Sequence, residues 1–137
     1  MVAYSFKSLF VPQIVSGMKR QTVRAQRPRH ARPGEAVQLY QSMRTKNCSK
    51  IILDPVCTAV LPIEICVSET RGILWISIDG ADVEDPEAFA AADGFHPSHF
   101  LAARPGATAL ENMSRFWLDN HSAETFEGVV IKWEPAP

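Results

Sequence analysis

Val56-Cys57-Thr58-Ala59-Val60-Leu61-Pro62-Ile63-Glu64-Ile65-Cys66-Val67 is the stretch on which the fold turns. β-Branched and aliphatic residues dominate it, as they do in strands. Ile51-Ile52-Leu53 extends the same character backwards, so residues 49–67 form the most strand-like part of the chain. Asp54-Pro55 and Pro62 interrupt the run and predict bulges or edge positions rather than one straight ladder, because proline cannot donate to a sheet.

Strand character recurs on both sides. Tyr4-Ser5-Phe6 opens the chain with two aromatics at a spacing of two, Gln21–Arg24 alternates, and Ala36–Tyr40 resumes as a strand after a Pro33-Gly34 turn. Ile73–Ile78 and Phe126–Trp133 are further strands. Between them, Pro12 fits the first turn of a short helix that ends at Gly17. Asp85-Pro86-Glu87 supplies a cap, a first-turn proline and an acidic residue for a helix that stops at Asp93-Gly94. Pro97 opens a short turn, and Ala107–Asn120 is the longest helix, with Leu110, Met113 and Trp117 on one face and Phe116 widening it. The resulting order β-α-β-β-β-β-α-α-β has near-consecutive strands with helices as inserts. A doubly wound parallel sheet would alternate throughout. The expectation is an α+β chain of one domain over residues 1–137: a small, mostly antiparallel β-barrel or strongly curved sheet, with short helices covering its openings and residues 134–137 as a tail.

The charge is split. Residues 1–50 carry ten cations against the single anion Glu35, a net +9, whereas the remainder carries four cations against fourteen anions, a net −10. The total of −1 therefore hides a local attraction for an anionic partner, although solvated surface charge is the plainer reading of the same residues. No apolar run approaches the roughly 20 residues needed to cross a bilayer, and the opening residues lack the pattern of a secretory signal. Cys48, Cys57 and Cys66 are odd in number and match no zinc spacing, so reduced cysteines in a soluble, cytoplasmic protein are expected.

Chemistry concentrates in Gly17-Met18-Lys19-Arg20-Gln21-Thr22-Val23-Arg24. A glycine leaving a helix permits a tight turn, and alternation then places Thr22 and Arg24 on one strand face with Lys19 at the rim. Facing a barrel mouth, a hydroxyl and a guanidinium would converge. Facing solvent, the segment would be a helix cap followed by a cationic strand.

The spacing Gly17-x-Lys19-x-x-Thr22-x-Arg24 resembles the G-x-K-x-x-E-x-R signature of the ASCH family of PUA-like β-barrels, with Thr22 in place of the usual glutamate. Asp93-Gly94-Phe95 and the closing helix-then-strand are similar to further family features. The resemblance implies a pocket for RNA, or for a modified nucleoside or nucleotide, bordered by the motif. One branch of the family, small amidohydrolases that deacetylate acetylcytidine, has threonine at this position. What it implies here is Thr22 as nucleophile, Lys19 as base and Asp93 as the supporting carboxylate, with Gly17 and Arg24 in ligand binding. Aspartate is one methylene shorter than the family's glutamate, so Asp93 must approach closely or act through water. A lysine desolvated beside Arg24 would have its pKa lowered toward the range of a base, and Arg24 would hold an oxyanion or a phosphate.

Arg27, Arg29, His30 and Arg32, with Arg44, Lys46 and Lys50, form a second basic set in which Tyr40 is placed to stack on a base, as in grooves that grip single strands. Solvated loop is the alternative reading. His96-x-x-His99 lacks a third ligand, so no metal is expected, and no cofactor motif occurs. Trp75, Trp117 and Trp133 read as core, and Cys57 and Cys66 as buried and inert.

Overall fold

Residues 56–68 form one strand, and the larger of two sheets is built around it. The computed structural model describes residues 2–136. Its strands are β1 (Val2–Phe6), β2 (Gln21–Ala25), β3 (Val37–Gln41), β4 (Ser49–Lys50), β5 (Val56–Ser68), β6 (Gly72–Ile78), β7 (Ala81–Asp82) and β8 (Thr125–Glu134). The helices are α1 (Val11–Ser16), α2 (Pro86–Ala90), continued by a wide turn over Ala91–Phe95, and α3 (Ala109–Asn120). The five-stranded sheet runs β2-β8-β5-β6-β7 with antiparallel pairing throughout, and the three-stranded sheet runs β1-β3-β4. The chain is therefore α+β. Glu134 ends β8, so the tail begins one residue later than its composition suggests, and Pro137 lies outside the described residues.

The two sheets do not close into one ladder. At one junction main-chain groups join them: Ala36 bridges Val56, and hydrogen bonds run from Gly34 N to Cys57 O and from Val37 N to Pro55 O, at 2.8 and 2.9 Å. At the other, between β1 and β2, two guanidinium groups make the connection. Arg24 Nη2 donates to Ser5 O at 2.7 Å, and Arg27 Nη2 donates to Ala3 O at 3.2 Å. β1 and β3 pair in parallel, Val2 opposite Val37, which departs from an all-antiparallel arrangement. A parallel partner needs a long crossover, and α1, β2 and the basic loop supply it.

The prolines act as their chemistry requires. Residues 51–55 leave the ladder, so β5 starts after Pro55, not at Ser49. Pro62 stands where β6 has ended: Ile63 faces Ile78, and the Pro62 carbonyl accepts from the turn residue Asp79. The missing N–H falls at the end of that ladder, where its loss is cheapest. Register shifts occur at Cys57/Ala59 against β8 and at Cys66/Val67 against β6. The second corrects the reading of Trp75 as core. Val67 faces Ile73 and Cys66 faces Trp75, so Leu74 is the extra residue and alternation breaks. Leu74 and Trp75 both turn outward while Ile73 and Ile76 stay buried. Cys66 shares the outward face and is half-buried, whereas Cys57 is buried and its thiol is pushed up by burial.

Both sheets contribute to one core, with Tyr4, Val37 and Leu39 from the smaller and Ile63, Ile65, Ile76, Val130 and Ile131 from the larger. The helices close it. Thr108 and Glu111 form a reciprocal capping box on α3, and the Glu87 carboxylate accepts from Ala109 N and Leu110 N at 2.8 and 2.9 Å, tying α2 to the start of α3. Thr108→Ala is expected to lower stability by about 1 kcal/mol, read as a lower urea midpoint at unchanged slope.

Candidate functional site

A short helix, a strand and a wide turn bring the polar residues together. Gly17 takes the left-handed conformation, φ 81°, and stops α1. Met18 N and Lys19 N then both donate to Gln13 O, which turns the chain back and sends the Lys19 side chain inward. Opposite, α2 widens over Ala91–Phe95, with Gly94 at φ 106°, and this places Asp93 in the interior. Widened turns of this kind occur often at functional sites. The Gln13 amide donates to Gly94 O at 2.9 Å, and Asn112 of α3 donates to Phe95 O at 3.1 Å, so the turn is held from both sides.

Lys19 and Asp93 meet within this frame at 3% and 4% exposure. Lys19 Nζ lies 3.6 Å from Asp93 Oδ1 and donates to the Asp93 main-chain carbonyl, while Gln21 Nε2 donates to Asp93 Oδ1 at 3.3 Å. The ammonium also sits 5.0 Å from the Phe10 ring centre and 6.0 Å from that of Phe6. Burial dominates both acidities: it lowers the lysine, against the pull of Asp93, and raises the aspartate, against the pull of Lys19. The two shifts run in opposite directions, the lysine down and the aspartate up. Arg24 works in one direction on both, disfavouring the ammonium and favouring the carboxylate.

Thr22 and Arg24 share a strand face, as alternation predicts, and Arg24 Nε donates to Thr22 Oγ1 at 3.1 Å. The guanidinium lies 4.7 Å over Phe6 and 5.5 Å over Tyr4. Burial brings its pKa down to about 10, which leaves it charged at neutral pH. Lys19, Thr22, Arg24 and Asp93 together line a cavity of about 350 Å³ in the gap between β1 and β2. Its cations are Lys7, Lys19 and Arg24, all from the first fifty residues, and its carboxylate is Asp93.

The other site residues expected from sequence lie elsewhere. Gly17 shapes the approach but does not line the cavity, and Arg20 folds back to donate to its carbonyl. Arg27 lies over the Tyr4 ring at 4.5 Å, and Arg29 is paired with Glu35. Tyr40 stands across the β3–β4 pair from Lys50, whose Nζ is 5.8 Å from the ring, and Arg44 is exposed in the connecting loop. None of these four lines the cavity. His96 Nδ1 accepts from Ser98 N within a turn, and His99 is exposed. Among the described residues no group of three His, Cys, Asp or Glu is placed to hold a metal, and no helix is long and apolar enough to cross a membrane.

Sequence reading missed the aromatic wall. Phe6, Phe10, Phe95, Phe116, Trp117 and Phe126 line the cavity, with His121 at its mouth stacked on Trp117 at 4.6 Å. Phe10, Phe95, Phe100 and Phe116 form one cluster with centroids 5.1–6.0 Å apart, which locks α1, the wide turn and α3 together beneath the lysine. Gln21 was also missed, because a glutamine at a strand start carries no signal of burial. A broader groove of about 710 Å³ shares Lys7, Phe116 and Asn120 with the cavity, but its arginines, Arg71, Arg104 and Arg115, are exposed. No protein-family model, curated protein or solved structure matches the chain.

Proposed function

We propose that the chain is a PUA-like domain of the ASCH type and an amidohydrolase acting on an acylated cytidine-type nucleoside. The observation that carries this reading is the buried Lys19–Asp93 couple sharing one small cavity with the Thr22 hydroxyl. A purely anion-binding pocket has no need of a sequestered carboxylate. A hydrolase needs a base whose proton affinity has been lowered by its surroundings. For the fold, the main-chain junction at Ala36–Val56 and the helices over the opposite gap support a barrel-like arrangement.

In the proposed reaction neutral Lys19 takes the Thr22 proton as Oγ attacks the acyl carbonyl, and a C–O bond forms. The C–N bond then breaks, the amine leaving with a proton returned from Lys19 or, through it, from Asp93. Water next attacks the threonyl ester and gives back the threonine hydroxyl and a carboxylic acid. Arg24 Nε is engaged with Thr22 Oγ1 and Nη2 with Ser5 O, so Nη1 is the group this reading assigns to the developing oxyanion. Asp93 keeps the lysine oriented and shares its proton.

The test is release of cytidine and acetate from acetylcytidine. Thr22→Val keeps the β-branched shape and removes the hydroxyl, so turnover is expected to fall to background. Turnover unchanged in Thr22→Val, or none in the wild type, would reject this reading.

A second reading, binding of single-stranded RNA, is supported by Lys50, 5.8 Å from the Tyr40 ring on the smaller sheet, with Arg44 and Lys46 exposed in the loop that joins β3 to β4. It requires affinity that falls steeply with salt, because phosphate contacts release counterions.

A further inference from the structure

We infer that Gln21 is a positioning residue that acts through Asp93: its amide N–H holds the buried carboxylate in place and ionised opposite Lys19. This rests on the hydrolase reading of the cavity and names the residue that governs its base. Gln21 Nε2 donates to Asp93 Oδ1 at 3.3 Å, across 72 positions of sequence. Lys19 Nζ stands 3.6 Å from the same oxygen, beyond an ordinary hydrogen bond, and donates instead to the Asp93 main-chain carbonyl. Among the described residues the Gln21 amide is thus the hydrogen bond that this carboxylate receives.

Gln21 opens β2 and is 7% exposed. Asp93 lines the cavity with Thr22 and Arg24, whereas Gln21 lines only a separate, shallow pocket with Arg20 and Lys132. It reaches the carboxylate and not the space a substrate would fill. An apolar residue would serve a strand start as well, and a buried amide forfeits its hydration unless it is bonded. The bond has a further effect, because a donor to the charged form of an acid favours that form. Burial raises Asp93, and Lys19, Gln21 and Arg24 oppose it. Burial lowers Lys19 in turn, and Asp93 is the group that opposes this. Without the amide, Asp93 stays neutral to higher pH and supports the ammonium less, so Lys19 gives up its proton at lower pH. The charged groups acting on the carboxylate are Lys19 and Arg24. α1 carries none, Glu87 of α2 is bonded to the start of α3, and Glu111 closes the capping box. Arg115 and Asp119 of α3 pair at the surface. On the side of Gln21, Lys132 faces it across the β2–β8 pair, and Arg20 is paired with Glu134.

A pH titration of the Asp93 carboxyl carbon by NMR, beside the pH profile of acetylcytidine turnover, tests this in wild type and Gln21→Met. Methionine keeps the length of the side chain and removes the donor. The Asp93 midpoint is expected to rise by about one pH unit, the worth of one hydrogen bond, and the ascending limb of turnover to move to lower pH. KM is expected to stay unchanged, because Gln21 lines no part of the cavity. A merely structural role would lower the urea midpoint, or the turnover at every pH, and leave both pH midpoints in place. That result overturns the inference and leaves the hydrolase reading standing. Wild-type protein without turnover removes the hydrolase reading and, with it, the role given to Gln21. Should Gln21→Met fail to fold, the wild type decides: the Gln21 side-chain amide resonances are expected to shift through the Asp93 midpoint, and stationary ones overturn the inference.

Discussion

Lys19→Met is expected to destabilise the protein by about 3–5 kcal/mol and to abolish turnover. Methionine keeps the apolar stem against Phe10 but removes the charge, and Asp93 is left buried without its ion-pair partner. Breaking one side of a buried pair costs on this scale because the other charge is stranded. The double variant Lys19→Met with Asp93→Leu is expected to recover most of the stability while remaining inactive, since removing both charges removes the stranded one. Urea midpoints for the three proteins check this. A double variant as unstable as the single would show that the loss does not come from the stranded charge but from contacts both variants lack, such as the bond from Lys19 Nζ to the Asp93 main-chain carbonyl.

The pH dependence follows in sign. Asp93 is raised above its ordinary 3.8 by burial, so the folded state binds more protons than the unfolded one above that value. Its contribution to stability is complete below pH 3.8 and is lost as pH rises through the folded-state pKa. In Lys19→Met nothing at Nζ offsets burial, so the loss is expected to extend to higher pH than in the wild type. Lys19 is lowered from 10.5, so its protonation penalises the fold below its folded-state pKa, and this penalty is relieved as pH rises toward 10.5. In the proposed reaction the same lysine acts while neutral, so turnover is expected to rise with pH along a limb below the ordinary lysine range.

Gly128→Ala is the second large effect. Gly128 faces Ala25 across the β2–β8 pair, and a methyl group there would stand 2.3 Å from the main-chain oxygen of Arg24 and 2.8 Å from the Phe126 ring. The oxygen is backbone and cannot rotate away, so β2 must shift against β8 and carry Thr22 and Arg24 with it. Overpacking of this kind costs about 1–3 kcal/mol. A displacement near 1 Å at a reacting group costs about 100-fold in rate. The expected result is thus a modest fall in thermal midpoint beside a disproportionate fall in acetylcytidine turnover. Unchanged turnover would mean that the strand position does not control the chemistry.

What could be read in advance was local. Gly17 as a helix stop and Thr22 and Arg24 on one face follow from chain stiffness and from the period of a strand, and both are present. The Asp85 cap and the Asp93-Gly94 stop were legible for the same reason, although the stop is a widened turn and not a simple end. What stayed hidden depends on contacts between distant segments. Lys19 and Asp93 are separated by 74 positions and no periodicity links them, so the residues alone did not pair them and only the family resemblance set them in one site. The register shift that exposes Trp75 depends on how β5 and β6 pair, which neither strand specifies alone. Trp117 was legible as buried from the face it shares with Met113, but its unmet N–H appears only once its surroundings are fixed. The Thr108–Glu111 box was legible and was missed, since Ser/Thr-x-x-Glu before an apolar run marks a helix start.

The two guanidinium groups between β1 and β2 have a consequence for how selectivity can change. Paired strands are held about 4.8 Å apart by their ladder, a spacing no substitution can tune. Here the aperture is gauged by the reach of Arg24 to Ser5 O and of Arg27 to Ala3 O. A shorter donor in place of Arg27, which lies outside the β2 ladder, is expected to reset that width without a change of strand register. For the hydrolase proposed above, the size of ligand admitted would then be a property that a single substitution recalibrates while the ladders stay as they are.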